Sequence, residues 1–220
     1  MSKQKSLNIY LIGLAIVGIY IRIRTGISTA SAGSESGLVG FMVSRTSDIL
    51  IGKKYSIDLF FNPVGYLMMA IGVKQLGDSI RKSKELFVGL MLGILVSLTT
   101  AFLPLFISSG VLLVKLIIGM YIIEGIVLLY VMVTFNNEVK SKVDSYYNME
   151  VSKDLTFATE LFFIAYFVII IVIFAKVIGI YFATALMYFD YAIMVYSIIY
   201  MVYKLNKYNK TLKFFDKTEV

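Results

Sequence analysis

Cysteine and histidine are both absent from the 220 residues. Without thiols there is no disulfide and no thiol nucleophile. Without imidazole there is no general base of the usual kind, and zinc and haem lose their commonest ligands. Together these absences exclude HExxH metalloproteases, Ser-His intramembrane proteases and His-dependent lipid phosphatases. No GxxxxGK[ST], GxGxxG, nucleophile elbow or closely spaced carboxylate pair is present either. An aspartyl intramembrane protease needs an Asp on each of two helices, and the acids deep in the apolar runs are Glu124 and Asp190. The residues therefore indicate no enzyme, no cofactor and no metal site. Charge is also sparse, at 16% of residues against 59% hydrophobic. A mean hydropathy of +0.83 is too high for a surface that faces water.

What is there is a series of apolar runs: Leu7 to Ile23, Ile57 to Val73, Leu86 to Ser109, Val111 to Phe135, Leu155 to Ala175 and Val177 to Tyr203. Crossing a bilayer takes about 20 helical residues. The expected fold is an all-α integral membrane protein, a single polytopic domain over 1–220 with six transmembrane helices. The last two runs are nearly continuous and would be about 70 Å long as one helix, so the chain must fold back, with the break expected between Phe174 and Gly179. Ser108, Ser109 and Gly110 predict a tight hairpin between the third and fourth spans.

Six spans put both termini on one face, with 14 basic residues there and 6 on the other. That asymmetry places both ends in the cytoplasm. The net charge of +7 then reads as loop bias and as attraction to anionic lipid, not as affinity for nucleic acid. The bilayer is the expected partner, with other membrane subunits or further copies of the chain beside it. If residues 57–73 only re-enter the membrane, five spans remain and the count becomes 17 against 3. The six-span reading is preferred because a short tail carrying Lys3 and Lys5 resists translocation and a run of 17 residues can cross a slightly thinned bilayer. The first run reads as a retained anchor, being long for a signal core and ending in Arg22 and Arg24, although small residues up to Ala30 and Ala32 leave cleavage open. Residues 25–37 read as a flexible linker, and 38–51 as a segment resting on the membrane surface.

Polar residues within these runs need a reason to be there. Glu124 and Asp190 fall near the middle of the fourth and sixth spans, where translocon scales put a central acid at about 2.5–3.5 kcal/mol. Two readings stay open: carboxyls lining a proton or cation path, or carboxyls fastening helices by hydrogen bonds. Gly89 and Gly93 form a GxxxG, which reads as a helix-packing seam. Pro104 ends the same run with a kink.

The stretch IDLFFNPVGYLMMAIGVKQL, residues 57–76, is the least regular. Pro63 disfavours helix at Asn62, so a helix is expected to begin at or just after Pro63, with Asp58 and Asn62 at its mouth. Ile57, Asp58, Leu59, Gly65, Tyr66, Gly72 and Leu76 match a recurrent segment that has a Pro-Asp pair where Phe61 and Asn62 stand here. In this the chain resembles a group of uncharacterised small multispan membrane proteins of Gram-positive bacteria. The resemblance spans about 20 residues and implies a bacterial cytoplasmic membrane protein without implying an activity. The function expected is a small transport or channel-like protein, or a transporter's membrane subunit, with Glu124 and Asp190 in an internal acidic path and Asp58 with Asn62 at one mouth. The alternative is a non-catalytic accessory or sensor protein that meets partner helices through Gly89 and Gly93.

Overall fold

Residues 3–18, 22–24, 56–58, 62–106, 110–142, 145–177 and 184–212 are described by this computed structural model. Six helices account for nearly all of them: α1 Lys3–Gly18, α2 Asn62–Leu76, α3 Ser83–Phe106, α4 Gly110–Lys142, α5 Ser145–Val177 and α6 Thr184–Leu212. A short antiparallel pair, β1 Arg22–Arg24 and β2 Ser56–Asp58, joins the end of α1 to the approach of α2. Its register sets Arg22 opposite Asp58 and Ile23 opposite Ile57. The expectations for residues 25–51, the possible cleavage site among them, lie outside the described residues.

Pro63 explains where α2 begins. A residue before proline avoids the helical interior, and proline itself lacks the N–H that a first helical turn leaves unpaired. The helix accordingly starts at Asn62 and not at Ile57, and it runs on past Val73 to Leu76. It ends in a 3-10 turn, Gly77–Ser79, where Gly77 takes φ +48°. Only glycine enters that left-handed region without strain. The Ile80 N–H closes the turn by donating to the Gly77 carbonyl at 3.0 Å.

Each helix packs on its neighbours in the chain, and α6 closes back on α1. α1 and α2 are antiparallel and very close, because glycine sits at each point of contact. Gly13 lies against Gly65 and Met69, and Gly72 lies against Ser6 and Tyr10. α4 and α5 are antiparallel too, since Asn136 meets Thr159 and Lys140 meets Thr156. The directions therefore alternate, and the start of α1 and the end of α6 share one end of the bundle.

α4 fills the middle of that end. Its Phe135 ring stacks on Tyr10 with centroids 4.0 Å apart, and Asn136 reaches Met201 of α6 at 3.4 Å. The core follows helical spacing, as in Leu7, Tyr10 and Leu14 of α1 or Val151, Leu155, Ala158 and Phe162 of α5.

The outer surface is apolar as well. Val88, Leu95, Ile126, Ile164, Phe167 and Phe189 are all exposed. Two stretches, Ser83–Thr100 of α3 and Ile122–Lys142 of α4, are long and apolar enough to cross a membrane among the described residues. α1 and α2, at 16 and 15 residues, are about 24 and 22 Å long.

The structure departs from the sequence reading between Asn136 and Asp154. With apolar runs ending at Phe135 and resuming at Leu155, these polar residues read as the loop between the fourth and fifth spans, but α4 continues to Lys142 and α5 already begins at Ser145. The reason is visible in the pattern. Val131, Phe135 and Val139 keep one buried face through the polar stretch, and Val151 and Leu155 resume one on α5. The expected break at Phe174 to Gly179 also shifts, because α5 persists to Val177 and α6 begins at Thr184.

Candidate functional site

α2 delivers Asn62 near the middle of α4, on the side of the bundle's mid-height away from the termini. The Asn62 side-chain amide donates to Glu124 Oε1 at 2.6 Å, and both residues are buried. One turn along α2, the Tyr66 hydroxyl donates a long bond of 3.4 Å to the Glu124 backbone carbonyl. Tyr66 is fully buried because Gly93 of α3 leaves room for its ring: a Cβ at that glycine would lie 2.6 Å from it. Gly89, one turn earlier, lies against Tyr130 and Val131 of α4 instead. The two glycines of the GxxxG thus seat different helices of the same chain.

Ser97 belongs to the same layer. α2 and α3 form an antiparallel hairpin, so the residue one turn after Gly93 lies level with the residue one turn before Tyr66. That pairs the heights of Ser97 and Asn62. Relative exposures are 6% for Asn62, 6% for Ser97, 8% for Glu124 and 6% for Asp190, so all four sit more than nine-tenths buried. Asn62 Oδ1, Ser97 Oγ and Asp190 Oδ2 have no hydrogen-bond partner among the described residues. Leaving a buried acceptor unpaired costs about 1–3 kcal/mol each, which makes this layer polar beyond what packing alone requires.

Asp190 approaches α4 from another side. α4 and α6 run parallel and touch at Asn136 and Met201. Counting back 11 or 12 residues on each brings Glu124 or Gly125 level with Asp190, about 17 Å above that contact. Asp190 also lies on the stripe of α6 that carries buried Ser197, Ile198 and Met201. At this height the Tyr166 ring of α5 occupies the notch at Gly125, with its hydroxyl 3.4 Å from the Ile122 carbonyl. Glu124 and Asp190 thus share a level on different flanks of α4. Asp58 has its side chain outside what the structure describes. Its backbone lies in β2, four residues before Asn62.

Two polar groups at the other end were not singled out from the sequence. Glu138, 5% exposed, accepts the Arg81 N–H at 2.8 Å and so ties α4 to the α2–α3 turn. Asp154 joins α5 to α6: Lys204 Nζ lies 2.6 Å from Oδ2, the Tyr200 hydroxyl donates to Oδ1 at 2.9 Å, and the Tyr208 hydroxyl donates to Oδ2. Burial works against ionisation of Asp154, but the bonds from Lys204, Tyr208 and Tyr200 outweigh it and hold the carboxyl below its ordinary 3.8. The bond to Asp154 raises Lys204 above its ordinary 10.5 against the opposing effect of burial. Burial, then the bond to Asp154, push the Tyr208 hydroxyl up. The available signal was the spacing of Tyr200, Lys204 and Tyr208, which lie one turn apart on α6.

Between the two polar levels the interior is mostly apolar, with Leu90, Leu128, Val131 and Met132 buried and Ser197 bonded back to the Met194 carbonyl of its own helix. The chain matches no family model, no curated protein and no solved structure.

Proposed function

We propose that this chain is a multi-pass protein of the bacterial cytoplasmic membrane, crossing six times with both termini in the cytoplasm, and that it works as a small transport protein or transporter membrane subunit. The apolar outer surface supports the membrane reading, since a water-facing bundle does not leave Val88, Leu95, Ile126 and Phe167 exposed together. Antiparallel packing of α2 along α1 supports a full crossing over a re-entrant segment.

One observation carries the transport reading: the buried Asn62–Glu124 pair, level with the unpartnered Asp190 Oδ2. An ionisable residue that faces a bundle interior within the membrane is by default a candidate for an ion or proton route. A helix that begins at Asn62, beside such an acid, brings its N-terminal end to the polar layer, as half-helices do at transporter sites. The apolar residues below the layer would close the route in this conformation. No catalytic role is proposed for any residue.

The test is a double substitution, Glu124→Gln with Asp190→Asn, reconstituted in proteoliposomes and assayed for H+, Na+ and K+ flux under imposed gradients. Loss of flux at normal protein yield is expected. Unchanged flux would overturn the transport reading. A second reading, as an accessory protein meeting partner helices, is favoured by one feature only. Between α3 and α4 an outward groove of about 440 Å³ is lined by Val88, Gly89, Leu92, Ile126 and Tyr130. Loss of yield alone in the double variant would support that reading.

A further inference from the structure

We infer that the outward groove between α3 and α4 is the seat of a second copy of this chain, packed about a twofold axis normal to the membrane. The groove holds about 440 Å³. Buried Gly89 and Val127 form its floor, and Val88 and Leu92 of α3 with Ile126 and Tyr130 of α4 form its walls. Gly93 takes no part, because Tyr66 fills its place inside the bundle. Lys84 and Glu85 stand at the rim, where α3 begins.

Two neighbouring pairs on α3 show the same offset. Val88, 68% exposed, is a knob beside the recess at Gly89. One turn earlier the cation of Lys84 stands beside the anion of Glu85. Residues four apart share a helix face, so Lys84 lies in line with Val88 and Glu85 in line with Gly89. A twofold axis between those lines sets Val88 of each copy over the recess at Gly89 of the other, and the same operation sets each Lys84 against the other copy's Glu85. Shape and charge are thus self-complementary at one register. Glu85 keeps its 3.6 Å contact with Lys82 of its own helix, since a carboxylate accepts from two cations at once. A lipid chain would fill the recess but would make no use of the charged rim. Close packing at a small residue such as Gly89 is what draws apolar helices together in lipid. The arrangement rests on the membrane reading, which gives both copies one orientation, and is independent of what the chain carries.

The test uses the full-length chain in its native membranes, where the lack of cysteine lets one introduced thiol report alone. Val88→Cys and, as a control on α5, Ile164→Cys replace side chains that are 68% and 58% exposed. Each is oxidised with copper phenanthroline and the products are sized. A disulfide needs Cα atoms within about 7 Å, so a band of twice the chain's mass is expected from Val88→Cys and not from Ile164→Cys. Charge is tested by energy transfer between copies labelled at Ser79→Cys as lipid is titrated in. Lys84 and Glu85 are exposed, so changing them leaves the fold intact. Lys84→Glu should lower the association constant about fivefold, and adding Glu85→Lys should restore it. Equal cross-linking at the two positions, a cross-linked product of any other mass, or a charge swap that fails to restore association overturns the inference. If cross-linking fails while the protein resists a carbonate wash of the membranes, the membrane reading stands without the dimer; release by the wash removes both. Neither readout depends on flux, so the transport reading stands or falls separately.

Discussion

At the scale of single residues, Asp154 gathers three donors from one face of α6. Its carboxyl is held below 3.8 in the folded protein, so the stabilisation it gives is present above that value and fades as pH falls through the folded value. Lys204 has the opposite sign. It is held above 10.5, so its contribution is complete below that pH and is lost as pH rises through the folded value. The join between α5 and α6 should therefore hold from about pH 5 to pH 10 and loosen on both sides. Asp154→Asn should remove most of both limbs and lower Tm at neutral pH by about 5 °C. A thermal-melt series across pH on the parent and the variant checks this, and parallel curves for the two proteins would refute it.

Glu124, Asp190 and Asn62 were legible in the sequence because polar groups inside long apolar runs are costly to bury. The bond between Asn62 and Glu124 was not, since 62 residues separate them and no local spacing encodes it. For a related reason Ser97 reads from the sequence only as a small residue following Gly89 and Gly93 on a packing face. A serine within an apolar run is unremarkable until its hydroxyl proves to have no partner.

At the scale of elements, the shortest helices make the closest contact. α1 and α2 meet at Gly13, Gly65 and Gly72, and a Cβ on Gly65 would stand 2.7 Å from Val17 Cγ2 and 2.9 Å from the Gly13 carbonyl oxygen. Backbone on the other side cannot yield as a flexible side chain would. Gly65→Val should cost about 2 kcal/mol through forced separation of the helices. Gly119→Ala on α4 provides the control, because nothing lies within 4 Å of its added Cβ. That variant should match the parent or gain up to about 1 kcal/mol from helix propensity. Equal unfolding midpoints for Gly65→Val and Gly119→Ala would show that the glycine contact between α1 and α2 is not what holds them.

Much of the element pattern could be read directly. Pro63 and Asn62 located the start of α2 to within a residue, because proline acts on its own backbone. The stretch from Asn136 to Asp154 was misread because its polar residues suggested a loop. Asn136 and Glu138 are in fact buried where helices meet, at 2% and 5% exposure. Composition identifies a polar residue, but only packing decides whether it faces solvent or another helix. The apolar spacing through Phe135 and Val139 carried the correct answer.

At the scale of the whole molecule, the distribution of charge and the geometry make one joint claim that can be tested on intact cells. The six-span count puts 14 basic residues at the end of the bundle that holds both termini, against 6 at the other. The five-span count separates them more sharply, at 17 against 3, so charge alone favours the re-entrant topology. Geometry weighs on the other side. α2 runs antiparallel to α1 from Gly65 beside Gly13 to Gly72 beside Ser6, and Gln75 accepts a bond from Ser6 at 3.3 Å. A re-entrant segment would return to the side it left, whereas α2 ends level with the start of α1. Absence of native cysteine allows a single introduced thiol to report its own side. Ser34→Cys, between β1 and β2 in sequence, and Ser79→Cys, in the turn after α2, should differ in labelling by a membrane-impermeant maleimide. The first should react in intact cells and the second only after permeabilisation. Equal labelling at the two positions would mean that α2 does not cross, and the polar layer at Asn62 would then have to lie near one surface and not within the bilayer.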